Sequence, residues 1–125
     1  MKDFKKKAKN FYILGNIAEK LGMLSEAASN YFKLLSALND HKLETKNLRA
    51  KDHAERFNLL KINFPKLYEI TDKLFAVYRR TYTEELDKEE ILRLRNSVEE
   101  VFKYVGIDIP TDKDIEEQTK KFFKK

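Results

Sequence analysis

The chain contains no cysteine, and only three glycines and two prolines among 125 residues. Without cysteine there is no disulfide staple, no thiolate metal site and no thiol nucleophile. So little Gly and Pro leaves few turns, which points to a mostly helical chain and away from a sandwich or barrel. No apolar run approaches the roughly 18 residues of a membrane span. The basic opening MKDFKKKAKNF is not followed by the apolar stretch of a signal peptide, so the expectation is a cytoplasmic protein with no membrane partner. Histidine is scarce too: His41 and His53 lie twelve positions apart, and neither pairs with a His or carboxylate at ligand spacing. Glu-x-x-His does not occur, so no metal is expected. Gly15, Gly22 and Gly106 are isolated, which gives no phosphate loop, and no serine sits on a strand-turn-helix elbow. No cofactor is implied.

Apolar residues make up 42% of the chain, with nine Phe and six Tyr. That suffices for one core in one domain spanning 1–125. The charged fraction is 38%, led by Lys and Glu, a composition common in proteins from hot environments. The net charge of +5 is unevenly placed. Residues 1–10 and 120–125 each carry +4, so the body between them is slightly acidic, at −3. These basic tails read as solubilising ends that can also attract nucleic acid.

Apolar periodicity divides the chain into helices. The first covers about 3–21, with Phe4, Ala8, Phe11, Leu14, Ala18 and Leu21 on one face and Gly22 as its left-handed stop. The second starts near an N-cap at Ser25 and runs to about Asn39, striped by Leu24, Ala27, Ala28, Tyr31, Leu34, Leu35 and Leu38. Residues 40–51 read as a polar loop. A short third helix opens at Asp52 with Glu55 in a capping box and an apolar face of Ala54, Phe57 and Leu60. Pro65 starts the fourth helix, striped by Leu67, Ile70, Leu74, Val77 and Tyr78 and ending near Tyr82. Asp87 and Glu90 cap the fifth, which ends at Gly106. Thr111 and Asp114 open a tail helix whose acids come first and lysines last, matching its dipole. The expected fold is all-α: an antiparallel up-down bundle of four long helices, with the short helix across one end or side and a tail helix. The hairpin at 11–38 does not recur, which excludes a helical-repeat array.

Carboxylate pairs such as Glu84/Glu85, Glu89/Glu90 and Glu99/Glu100 read as solvated helix faces. Arg79 and Arg80 close the fourth helix beside Tyr82. They serve either as cations at a helix C-terminus or as an anion-binding corner in which Tyr82 stacks on a base or donates its hydroxyl. His53, in KDHAERF, is either a surface or packing residue, or a ligand contact or general base.

The order of these pieces resembles the HEPN domain (higher eukaryotes and prokaryotes nucleotide-binding). In that family an alanine-rich second helix with adjacent aromatics is followed by a Lys-x-His segment, and then by an Arg segment ending in Tyr. Ala27, Ala28, Tyr31 and Phe32, then Lys51 and His53, then Arg79 or Arg80 with Tyr82 take those places. The resemblance implies a helical bundle, commonly dimeric, that binds nucleotides or partners a small nucleotidyltransferase. The family's RNase motif, Arg-x(4–6)-His, is absent, since only three residues separate Arg49 from His53. The leading expectation is therefore a non-catalytic nucleotide-binding or nucleotidyltransferase-partner module with a site at Lys51, His53, Arg79, Arg80 and Tyr82. The alternatives are a structural bundle that docks a second copy or another protein, and an RNase using Arg49 and His53.

Overall fold

The computed structural model describes residues 3–123. The outermost residues of both basic tails, 1–2 and 124–125, fall outside that range. The described residues form six helices and no strand. They are α1 (Phe4–Lys20), α2 (Leu24–Glu44), α3 (His53–Asn63), α4 (Pro65–Arg80), α5 (Lys88–Val105) and α6 (Asp112–Phe123).

The expected punctuation holds at most ends. Gly22 and Gly106 follow α1 and α5 with φ of 76° and 78°, a region that costs glycine nothing. Asp87 and Glu90 form a complete capping box on α5, and Thr111 and Asp114 exchange side chain-to-backbone bonds before α6. At α3 only half the box forms. The Asp52 carboxylate accepts from the Glu55 N–H, whereas Glu55 accepts from the N–H of Lys51, one residue early.

Helix α2 departs from expectation at both ends. Met23 is its N-cap and makes no side-chain cap bond, so Ser25 lies inside the helix. The helix also continues through residues 40–44, which read as loop from sequence. Leu43 explains this: it is fully buried, extending the apolar face one more turn while Asp40, His41 and Lys42 are partly buried. The end comes at Asn47, which adopts φ 58° while the Leu48 N–H reaches back to the Leu43 carbonyl.

With ten buried residues, α2 is the central element, and α1, α3, α4 and α5 all pack on it. Phe32 faces Tyr78 and Asn39 faces Thr71, so α4 runs antiparallel to α2. Tyr12 bonds Glu99 and Glu19 approaches Arg95, so α5 runs antiparallel to α1. The up-down order of α1, α2, α4 and α5 follows, with α3 laid against α2 and α4. No described helix is long and apolar enough to cross a membrane.

Helices α1 and α2 approach most closely where Gly15 meets Tyr31. A Cβ at Gly15 would fall inside contact distance of the Tyr31 ring, and Tyr31 is fully buried. Its hydroxyl donates to Glu19 at 2.8 Å, while the Tyr12 hydroxyl donates to Glu99. Burial, reinforced by these carboxylates, pushes both phenols well above their ordinary value of 10.

Two outcomes are expected. Overpacking costs about 1–3 kcal/mol and the gain in helix propensity offsets about 1 kcal/mol. Gly15→Ala should therefore lower the thermal midpoint by several degrees; the rise usual for a helical Gly→Ala exchange would contradict the close approach. Because both phenols have raised folded pKa values, their contribution is complete below the unfolded value near 10 and is lost as pH climbs beyond it. Denaturant titrations at rising alkaline pH should show that loss, and Tyr31→Phe should make it shallower.

Candidate functional site

A cleft of about 360 Å³ opens where α1, α2, α3 and α4 meet, with Phe4, Lys7 and Phe11 on α1 among its lining residues. Helix α2 contributes Phe32, Lys33, Ser36 and Asp40, and α3 and α4 add His53, Arg56 and Tyr78. The α1–α2 hairpin is antiparallel, which brings the start of α1 beside the second half of α2. Spacings of four place Phe32, Ser36 and Asp40 along one edge of α2, and spacings of three and four do the same for Phe4, Lys7 and Phe11 on α1.

One polar chain organises the cleft. The Arg56 guanidinium grips Asp40 through two bonds, Nε to Oδ1 at 2.8 Å and Nη2 to Oδ2 at 3.0 Å. Both side chains are largely buried, at 13% and 14% exposure. The third nitrogen, Nη1, lies 2.7 Å from Nδ1 of His53. Guanidinium has no acceptor and does not deprotonate, so His53 Nδ1 must be the acceptor. The ring proton then sits on Nε2, making His53 a hydrogen-bond donor there. Its ring also lies 5.9 Å from that of Phe32, which in turn stacks on Tyr78 with centroids 4.6 Å apart and planes 3° from parallel.

The five residues singled out from sequence do not form one site. His53 alone lines the cleft. Lys51 is exposed and contributes its backbone N–H to Glu55. The Arg79 guanidinium lies over the Phe75 ring, 5.0 Å from its centroid. Arg80 is held by Glu84 at 2.7 Å and by Glu90 on α5. These two carboxylates keep it charged and satisfy that charge, so the expected anion-binding corner is instead an ion-pair clasp between α4 and α5. Tyr82 is 74% exposed. Its hydroxyl meets that of Tyr78 at 3.1 Å, a contact that raises the pKa of Tyr82. The RNase alternative changes as well: Arg56, not Arg49, contacts His53, and Arg49 lies exposed in the loop before α3.

Sequence reasoning missed Asp40, Arg56, Lys7 and Lys33. Apolar periodicity alone ends α2 near Asn39 and puts Asp40 in a loop, off the helix edge on which it follows Ser36. Arg56 sits three residues after His53, the one local signal that could have linked the two. No cluster of three or more metal-ligating side chains occurs among the described residues.

Comparison with protein-family models, curated proteins and solved structures finds no match for this chain. The resemblance to HEPN, with the dimer and nucleotide binding it implies, therefore has no support from a relative, and neither has the thermophilic source suggested by the charged composition.

Asp40→Ala should destabilise the fold by about 3 kcal/mol, because it leaves a largely buried guanidinium without its carboxylate; chemical denaturation measures this. Nitrogen-15 spectra of neutral His53 should show the Nε2–H tautomer in the parent protein and a mixture in Arg56→Gln. A mixture in the parent would contradict the bond to Arg56.

Proposed function

We propose that the chain is a binding module that holds a small anion carrying a flat ring, the chemistry of a nucleotide, and does no chemistry on it. The observation that carries this reading is the composition of the cleft. Two exposed ammonium groups, Lys7 and Lys33, flank aromatic rings and a donor fixed at His53 Nε2. The volume of about 360 Å³ is within the range of small-molecule sites.

Each group has a part in that reading. Lys7 and Lys33 supply positive charge for phosphate, and their four-carbon stems let them close on it. Tyr78 and Phe11 offer apolar surface to the ring. Each nitrogen of Arg56 already engages Asp40 or His53, so its role is to orient His53 rather than to grip the ligand. A neutral histidine with Nδ1 already engaged is poorly placed as a proton acceptor, which favours binding over catalysis.

A second reading, docking of another protein, is favoured by one specific feature. Leu14 on α1, Leu21 at its C-cap and Met23 at the N-cap of α2 are 50%, 67% and 47% exposed, apolar side chains that the bundle itself does not cover.

A thermal-shift screen against nucleoside mono-, di- and triphosphates tests the first reading. Ligand at about 100 times its dissociation constant adds roughly 2.7 kcal/mol, a rise of several degrees for a domain this size. Lys33→Gln and Tyr78→Ala should abolish the shift, whereas Arg79→Ala/Arg80→Ala should retain it after correction for the lost clasp. No shift with any phosphate in the parent protein would sink the small-ligand reading and favour docking through α1.

A further inference from the structure

A second cluster of positive charge and aromatic surface lies where the end of α2, the start of α4 and the end of α5 converge, and it shares no residue with the cleft. Lys46 sits over the Phe64 ring at 4.8 Å from its centroid, and Lys42 reaches the same ring at 5.5 Å. Lys42 also approaches Tyr104 at 5.6 Å, and Lys66 meets Tyr104 from α4 at 5.6 Å. Three ammonium groups from two helices and the turn after α2 are thus gathered around two rings, one of which, Tyr104, is 41% exposed. The acids nearest in sequence are Asp40 and Glu44 on either side of Lys42, Glu69 beyond Lys66, and Glu100 and Asp108 on either side of Tyr104. Among the described residues none of the three lysines lies within ion-pair distance of a carboxylate, and all five salt bridges use arginine.

From this arrangement we infer that the patch of Lys42, Lys46, Lys66, Phe64 and Tyr104 is a binding platform for single-stranded nucleic acid. Unpaired lysines track a phosphate backbone by releasing its counterions. An exposed ring beside them gives a base a face to stack on, a combination that tolerates sequence because every base has such a face. In the free protein the lysines rest on the rings through cation–π contacts, each worth about 0.5–1 kcal/mol at exposed sites. That is weak enough for a phosphate to draw the ammonium outward while a base takes its place on Tyr104. The charge of the platform is local: the chain between its basic ends is net negative, so simple overall attraction does not account for it.

The test is fluorescence anisotropy of the full-length chain with a labelled 12-mer of deoxythymidine at several salt concentrations. Lys42→Gln/Lys46→Gln/Lys66→Gln should weaken binding at least tenfold and reduce the magnitude of the log–log salt slope by about 2, at about 0.7 per lost phosphate contact. Tyr104→Ala should weaken binding about tenfold by removing the stacking face. Circular dichroism verifies that each variant is folded, and Tyr104→Phe, which keeps the ring, should retain affinity. Absence of binding by the parent protein at low salt would overturn the proposal, as would an unchanged slope in the triple variant, the sign that the basic ends do the binding. Loss in the triple variant with full retention in Tyr104→Ala, or equal affinity for anionic lipid vesicles, would overturn it too, reducing the patch to bare charge. Mononucleotide shifts in the cleft should persist in the triple variant, so either site can fail without the other.

Discussion

The close contact between Gly15 and Tyr31 sets the geometry on which the other packing depends. Because α1 carries no side chain at that point, the Tyr31 ring of α2 occupies the space against its backbone. The same side chain reaches Glu19, and Glu19 lies 3.7 Å from Arg95 on α5. One buried residue therefore ties three helices. Tyr12 repeats the device one turn lower on α1, packing edge-on against Phe102 and bonding Glu99. These polar links lie where apolar faces alone would let α1 slide along α5, so they fix register as well as adding stability.

With α1 and α5 held on one side of α2, its opposite edge is left for α3 and α4. That edge is aromatic. Phe32, Phe75, Tyr78, Phe57 and Tyr68 form a continuous run of stacked and edge-on rings. The run anchors the short helix α3, whose one fully buried side chain is Leu60. Anchoring α3 brings His53 and Arg56 to Asp40, and the cleft follows from that placement. The polar chain of the site is thus a product of aromatic packing behind it, and the cleft inherits the rigidity of the bundle.

The arginines and lysines of this chain divide their work. Arg56 and Arg80 make the ion pairs that tie α2 to α3 and α4 to α5, using the planar fork that engages two partners at once. Lysines are left at the cleft rim and over Phe64 and Tyr104, in no ion pair among the described residues. Structure is held by arginine, and the lysines carry the two proposed binding surfaces.

Local signals in the sequence settled the secondary structure and the fold class. Periodic apolar residues, Asp87 with Glu90, Thr111 with Asp114, Pro65, Gly22 and Gly106 each act within one turn of the chain, so neighbours in sequence suffice to read them. The end of α2 escaped because Leu43 follows four polar residues and its burial depends on other helices. The site escaped more fully. Asp40 and Arg56 stand sixteen residues apart, Lys7 and Tyr78 come from helices far apart in the chain, and Glu90, which joins Glu84 in holding Arg80, belongs to the next helix. Helix formation is decided by contacts three and four residues apart, whereas a cleft is decided by which faces meet. Only the packed bundle determines that, because the same amphipathic helices could have presented their polar edges to solvent instead of to one another.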